Sequence, residues 1–172
     1  MRFNLNRWAF VCATFAFTSF GPQSYAGTAT SNMTVTASVA ANCTITTSTV
    51  AFGAYDPIVT NAAVALTGTG SVTTTCTNGS AVTVTLGQGA NALGGSTATV
   101  PQRQMASGVN RLGYFLYSDA ARTVAWGDTA GTGKADTGTG AVSTLTVYGT
   151  VTAGQNKPVG SYNDSVVATV TF

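Results

Sequence analysis

The sequence contains no histidine and only five acidic residues in 172 positions. Without histidine, the usual general base and the commonest metal ligand are missing, as are the Ser-His-Asp and Cys-His pairs of many hydrolases. The five aspartates are scattered along the chain, without the spacing of a carboxylate pair. We therefore expect neither enzyme activity nor a cofactor.

Charge is scarce altogether, at 7% of the chain against about a quarter in an average protein. Residues 27–172 carry five basic and five acidic side chains, so the formal charge of +2 comes from Arg2 and Arg7. A neutral chain without a basic patch is not expected to bind nucleic acid or acidic lipid. A weakly charged surface rich in Thr, Ser, Gly, Ala and Val favours association, which suits a protein that works in an assembly.

The N-terminus has the pattern of a secretory signal peptide. Arg2 and Arg7 precede an apolar run at residues 8–17, which is too short to span a bilayer, and small residues follow at 24–26. This pattern predicts a removable signal at residues 1–26. A retained membrane anchor is the alternative.

Removal of that signal would leave two cysteines, Cys43 and Cys76, in an exported chain. An intramolecular disulfide is the expected state, with free thiols or an intermolecular bridge as the alternatives. The disulfide would stabilise the fold by about 3–4 kcal/mol in the loop-entropy estimate. Two cysteines paired in this way would leave no ligand set for zinc.

Residues 42–172 have an all-β character, with Val- and Thr-rich runs, frequent glycine and no long helical period. Six strands are predicted, at 43–50, 63–76, 81–86, 111–117, 141–151 and 165–172. Gly68 and Gly70 predict a bulge or a crossing between sheets within the second strand. Asn78-Gly79 predicts a hairpin between the second and third strands. Residues 119–140 are predicted to form a long loop or an edge region.

The stretch at residues 28–41 alternates strictly and contains neither charge nor proline. Its odd positions form the apolar face of an extended strand: Ala29, Ser31, Met33, Val35, Ala37 and Val39. We interpret residues 27–41 as a donor strand that completes the next copy of the protein rather than its own domain. The alternative is an ordinary first strand of a sandwich.

The last predicted strand is expected to border the groove that such a donor strand would fill. Its alternate residues Val166, Ala168, Val170 and Phe172 share one face, and the sequence ends on this strand. Six strands are one fewer than the seven or so of an immunoglobulin-type sandwich. Since an open apolar edge has to be covered, we expect these four residues to border an acceptor groove that residues 27–41 of a neighbour would fill.

Other candidate sites are weaker. Asp119 and Asp128 could bind Ca²⁺ in a Gly-rich loop, but they lack a D-x-D-x-D arrangement. Trp126 and Tyr148 could stack on a sugar, although isolated aromatic residues beside glycine are more often packing anchors. Three arginines are interpreted as surface or sheet-edge charges: Arg103, Arg111 and Arg122.

Short motifs in a fixed order resemble those of the spore coat protein U domain family, the subunit family of archaic (Csu-type) chaperone–usher pili. After the alternating tail they are FGAY at 52–55, Cys76, LGQG at 86–89, RQM at 103–105, LGYFLYSD at 112–119, WG at 126–127, VYG at 147–149 and GSYNDSV at 160–166. Together with the tail, these motifs are distributed along nearly the whole of residues 27–172.

The resemblance implies an incomplete immunoglobulin-like β-sandwich that a donor strand completes. A periplasmic chaperone would first lend a strand, and at the outer-membrane usher the tail of the next subunit would replace it. The product would be an extracellular pilus, or fimbrium, in which the chain is a shaft subunit of a linear homopolymer that could carry a tip adhesin. Such pili support attachment and biofilm formation. The alternative function is a self-contained secreted β-sandwich, either a coat protein or a carbohydrate-binding protein.

Overall fold

The computed structural model describes residues 21–172, which contain eight β-strands and no helix. The strands are β1 (Cys43–Thr47), β2 (Leu66–Cys76), β3 (Ala81–Leu86), β4 (Arg103–Ser107), β5 (Asn110–Tyr117), β6 (Lys134–Thr137), β7 (Val142–Val151) and β8 (Ala168–Thr171). In this part of the chain no helix is long and apolar enough to cross a membrane. Most of the predicted signal peptide, residues 1–20, lies outside the described residues.

The chain divides into two units between Ala37 and Ser38. In the first unit, residues 21–37 belong to no strand and are all exposed. The second unit carries all eight strands.

The strands form two antiparallel sheets of unequal width. The five-stranded sheet has the order β1-β2-β7-β5-β4, and the three-stranded sheet has the order β6-β3-β8. The sequence indicated six of these strands, and the two that it missed, β4 and β6, are short edge strands. The all-β, sandwich-like architecture expected from the sequence is confirmed.

The core lies between the sheets and follows from period-two alternation, since every second residue of a strand faces the same side. Val72, Val84 and Val151 are almost completely buried, and so is Trp126 from the segment between β5 and β6. The indole Nε1 of Trp126 donates a 2.8 Å hydrogen bond to the carbonyl of Val84, so the ring is buried without an unpaired polar group.

The predicted bulge or crossing at Gly68 and Gly70 is wrong. β2 pairs with β7 in one unbroken register from Leu66↔Val151 to Thr75↔Val142. These glycines serve close packing instead: a Cβ on Gly70 would lie 2.7 Å from Val50 Cγ2. The segment after β1 thus lies directly against β2.

The predicted hairpin at Asn78-Gly79 is also wrong, although the turn itself exists, with Gly79 at φ +83°. β2 belongs to the five-stranded sheet and β3 to the three-stranded sheet, so the turn carries the chain from one sheet to the other. Turn residues specify the local reversal of the backbone but not the strand with which the next segment pairs.

Candidate functional site

The candidate site is a groove of about 390 Å³ in the sandwich. One wall is the segment 47–52, which follows β1, and the other is the C-terminal segment 162–168. The floor includes four buried core side chains, three from the five-stranded sheet and one from β3: Val72, Leu116, Val147 and Leu86. The groove exists because the three-stranded sheet is too narrow to cover the inner face of the five-stranded sheet.

The C-terminal wall has an open backbone edge. β8 is the last strand of its sheet and pairs only with β3 among the described strands. Just before β8, the carbonyl of Val167 accepts a 2.8 Å hydrogen bond from the amide of Gly87. Because successive residues of a strand direct their backbone groups to opposite sides, the amides and carbonyls of Ala168 and Val170 in β8 face the open edge. These groups can form the backbone hydrogen bonds of an added strand.

The four residues predicted to border the groove do not all lie in the same surroundings. Val166 and Ala168 line it, and Val170 packs against the core nearby. Phe172 is 52% exposed and is not among the residues that line the groove. The sequence did not identify the opposite wall, where Val50 and Phe52 come from a segment without regular strand structure.

The predicted donor residues present apolar side chains to solvent. Met33, Val35 and Val39 are 87%, 85% and 86% exposed, and Ala29 and Ala37 are exposed as well. The polar even positions of this stretch are exposed as well, so exposure alone does not distinguish its two faces.

The two cysteines form a disulfide in the structure, with an S–S distance of 2.08 Å. Cys43 and Cys76 are directly opposite each other where β1 pairs with β2. The bond therefore attaches the first residue of β1, where the exposed N-terminal segment enters the sandwich, to the end of β2.

One end of the groove is polar. The hydroxyl of Tyr114 on β5 donates a 2.7 Å hydrogen bond to Asp164 Oδ2, and both residues line the groove. Burial, and to a lesser degree the hydrogen bond to Asp164, raises the pKa of Tyr114 above its ordinary value. The hydroxyl therefore stays protonated and acts as the donor. Asp164 lies within the motif GSYNDSV, but its partner is 50 positions away, and nothing local in the sequence reveals the pair.

The two aspartates that could bind Ca²⁺ accept hydrogen bonds within the fold, Asp119 from nearby residues and Asp128 from β3. The carboxylate of Asp119 accepts hydrogen bonds from the amides of Thr123 and Val124, which lower its pKa. Asp128 accepts one from the hydroxyl of Thr85. Residues 21–172 contain no cluster of three side chains suited to hold a metal ion.

The aromatic and basic candidates are also accounted for by packing. Trp126 is buried, so its ring is not available to stack on a sugar, and the guanidinium of Arg122 lies 5.7 Å from the centre of the Tyr148 ring. Arg103 lies on an edge strand, one of the two predicted positions, but it is not a surface charge, because it is only 2% exposed. Its guanidinium donates to three carbonyls, those of Leu86, Gly87 and Trp126.

Comparison with known proteins found similarity along nearly the whole chain. The model of the family described as the Spore Coat Protein U domain matches residues 29–169. Protein U of Myxococcus xanthus is 48% identical over 172 residues, covering 95% of this chain and 96% of that protein.

A similar fold occurs in the crystal structure of the CsuC-CsuE chaperone–tip adhesion subunit pre-assembly complex from archaic chaperone-usher Csu pili of Acinetobacter baumannii. The TM-score is 0.55 at 20% identity, and the match covers 78% of this chain. It spans only 40% of the matched chain of that complex. At this identity the likeness shows a shared fold.

Proposed function

Because the chain belongs to the Spore Coat Protein U domain family, we propose that it is a structural pilin that polymerises by donor-strand complementation. Residues 27–41 of one copy fill the groove of the next, after removal of residues 1–26, and residues 42–172 form the body. A periplasmic chaperone occupies the groove first, and an outer-membrane usher exchanges its strand for the tail of the incoming subunit. The product is an extracellular adhesive fibre that supports attachment and biofilm formation, with no catalytic role for the chain.

The observation that carries this proposal is the uncovered groove beside the open edge of β8. Its apolar floor and free backbone groups are the two things that recognition by strand addition uses. The chain also contains a segment of the right kind, exposed and alternating, at residues 28–41.

The energies are large enough for a stable joint. Burial of Met33, Val35 and Val39 would contribute up to about 1.5–3 kcal/mol each. Each backbone hydrogen bond to Ala168 or Val170 of the open edge would add about 0.5–1.5 kcal/mol. Ordering the tail offsets part of this gain, so the persistence of the fibre depends largely on slow dissociation of the inserted strand.

The test compares an aspartate on the apolar face of the tail with an aspartate on its polar face. We expect Val35→Asp to abolish fibres, since it places a charge on the apolar floor, while the subunit stays soluble with its chaperone. Thr36→Asp is the matched control, because it adds the same charge one residue away on the opposite face. Fibres are measured by electron microscopy and by the size distribution of unheated, secreted protein.

The outcomes separate the two candidate functions. Fibres built by Val35→Asp as readily as by Thr36→Asp would exclude the tail as the connector. A self-contained β-sandwich, the alternative, would need residues 27–41 for its own stability, so their deletion would unfold it. In a pilin the same deletion leaves a body that its chaperone stabilises but that cannot donate a strand.

A further inference from the structure

The C-terminal wall of the groove is only lightly tied to the rest of the body. Between residues 162 and 167 the chain forms no regular strand, and its only bridge pairs Asn163 with Ala106 of β4. Beyond that bridge, single hydrogen bonds to the carbonyls of Ser165 and Val167 connect it to the loop after β3. A wall with so few backbone bonds needs another constraint to hold a fixed position.

Asp164 supplies side-chain constraints in two directions. Its Oδ2 accepts the hydroxyl of Tyr114 at 2.7 Å, which ties the wall to the floor of the groove. Its Oδ1 accepts the amide of Asn91 at 3.2 Å and the side-chain Nδ2 of Asn91 at 3.0 Å, which ties the wall to the loop after β3. Hydrogen bonds to a carboxylate are among the stronger ones in proteins.

The loop after β3 is shaped to receive this carboxylate. Gly89 has φ +86°, a conformation that favours glycine, and a Cβ at this position would collide with Asp164 Oδ2. The glycine of the LGQG motif therefore makes room for the carboxylate of the GSYNDSV motif. Asn91, two residues after the LGQG motif, is 73 positions away from Asp164 in the sequence.

We propose that Asp164 is a positioning residue of the acceptor groove, and that its bonds to Tyr114 and Asn91 hold the wall at the distance from the floor that an inserted strand requires. This inference rests on the proposed function. The carboxylate does not contact the donor strand in this role; it fixes the position of the segment that leads into β8, whose open edge receives the donor strand. Without the Asp164 carboxylate, the wall can occupy a wider range of positions. An inserted strand then has to order the wall as it binds, which weakens its affinity.

The experiment measures binding of a fluorescein-labelled peptide of residues 27–41 to the mature chain carrying Val35→Asp, which suppresses self-assembly. Tyr114→Phe is the main variant, because it removes the hydroxyl and keeps the buried ring. We expect it to raise the peptide dissociation constant at least about tenfold. Asp164→Ala, which removes the bonds to Asn91 as well, should raise the dissociation constant at least as much. The double variant should be little worse than Asp164→Ala alone, since Tyr114→Phe then removes no further bond to Asp164.

Tyr55→Phe is the matched control. The hydroxyl of Tyr55 also makes two hydrogen bonds, to the carbonyl of Thr152 and from the amide of Gln155, but Tyr55 does not line the groove. We expect its peptide affinity to stay within about twofold of the parent. The fluorescence of Trp126 reports whether each variant is folded.

Each result bears on a different claim. If the parent binds the peptide and Tyr114→Phe binds it equally well, the role of Asp164 is refuted while the proposed function stands. Equal weakening by Tyr55→Phe and Tyr114→Phe also refutes the role, because it would reflect general destabilisation. A parent that is folded but binds no peptide refutes the proposed function, and the positioning role with it.

Discussion

Replacement of the buried Arg103 by methionine is the sharpest test of how the two sheets are held together. Arg103 lies on β4 of the five-stranded sheet, whereas Leu86 is the last residue of β3 in the other sheet and Gly87 follows it. The guanidinium donates to their carbonyls at 2.7 and 2.8 Å, and to that of Trp126 at 2.8 Å. Arg103→Met keeps a long apolar stem and removes all three donors.

The expected magnitude follows from the carbonyls left behind. A hydrogen bond to a charged group is worth about 1.5–3 kcal/mol, and a buried acceptor without a partner costs about 1–3 kcal/mol. Allowing for relaxation around the methionine, Arg103→Met should lower the free energy of unfolding by about 3–5 kcal/mol. That is a large part of the total stability of an ordinary domain.

The assay is urea unfolding at one protein concentration, followed by the fluorescence of Trp126. The chain has two tryptophans, and the other, Trp8, belongs to the predicted signal. Arg111→Met is the control, because Arg111 is half-exposed and its guanidinium bonds only the nearby carbonyls of Gly108 and Asn110. It should change the free energy of unfolding by about 0.5 kcal/mol or less. Equal stability of the two variants would refute the reasoning.

Two further predictions concern the segment after β1 and the disulfide. Gly149→Ala places a Cβ 2.7 Å from the Phe52 ring, so it should lower the free energy of unfolding by about 1–3 kcal/mol. Gly131→Ala is the control, because it has open space around it and should leave the stability unchanged. Equal urea midpoints for the two variants would contradict this packing. Serine at both Cys43 and Cys76 should lower the free energy of unfolding by about 3–4 kcal/mol for a sequence separation of 33; an unchanged midpoint on reduction of the parent would contradict that estimate.

The sequence predicted what depends on local pattern. Alternation identified six strands and placed Val166, Ala168 and Val170 on the core side of the last one, because a strand repeats every two residues wherever it lies. It missed β4 and β6, whose five and four residues are mostly polar and lie at sheet edges. Without alternating apolar residues, these two strands show no period-two pattern, unlike the equally short edge strands β1 and β8.

What the sequence could not supply depends on distant partners. The buried guanidinium of Arg103 is tolerated because it donates hydrogen bonds to carbonyls from two separate segments. No local sequence pattern around Arg103 predicts these acceptors. The pairing of Tyr114 with Asp164 likewise joins β5 to a segment that is remote in sequence. Asn78-Gly79 specified a turn correctly, but the partner strand of β3 is decided by the packing of the two sheets.

The position of the disulfide has a mechanical consequence for a fibre of the proposed kind. A pull on the N-terminal tail is carried first by the hydrogen bonds of Ala40 and Asn42 with Thr77, and then by Cys43, the residue that is bonded to Cys76. The force therefore passes through a covalent bond into β2, which has hydrogen-bonded neighbours on both sides. Traction cannot unzip β1 one rung at a time, and the weakest point of a stretched fibre is instead the non-covalent seam between subunits.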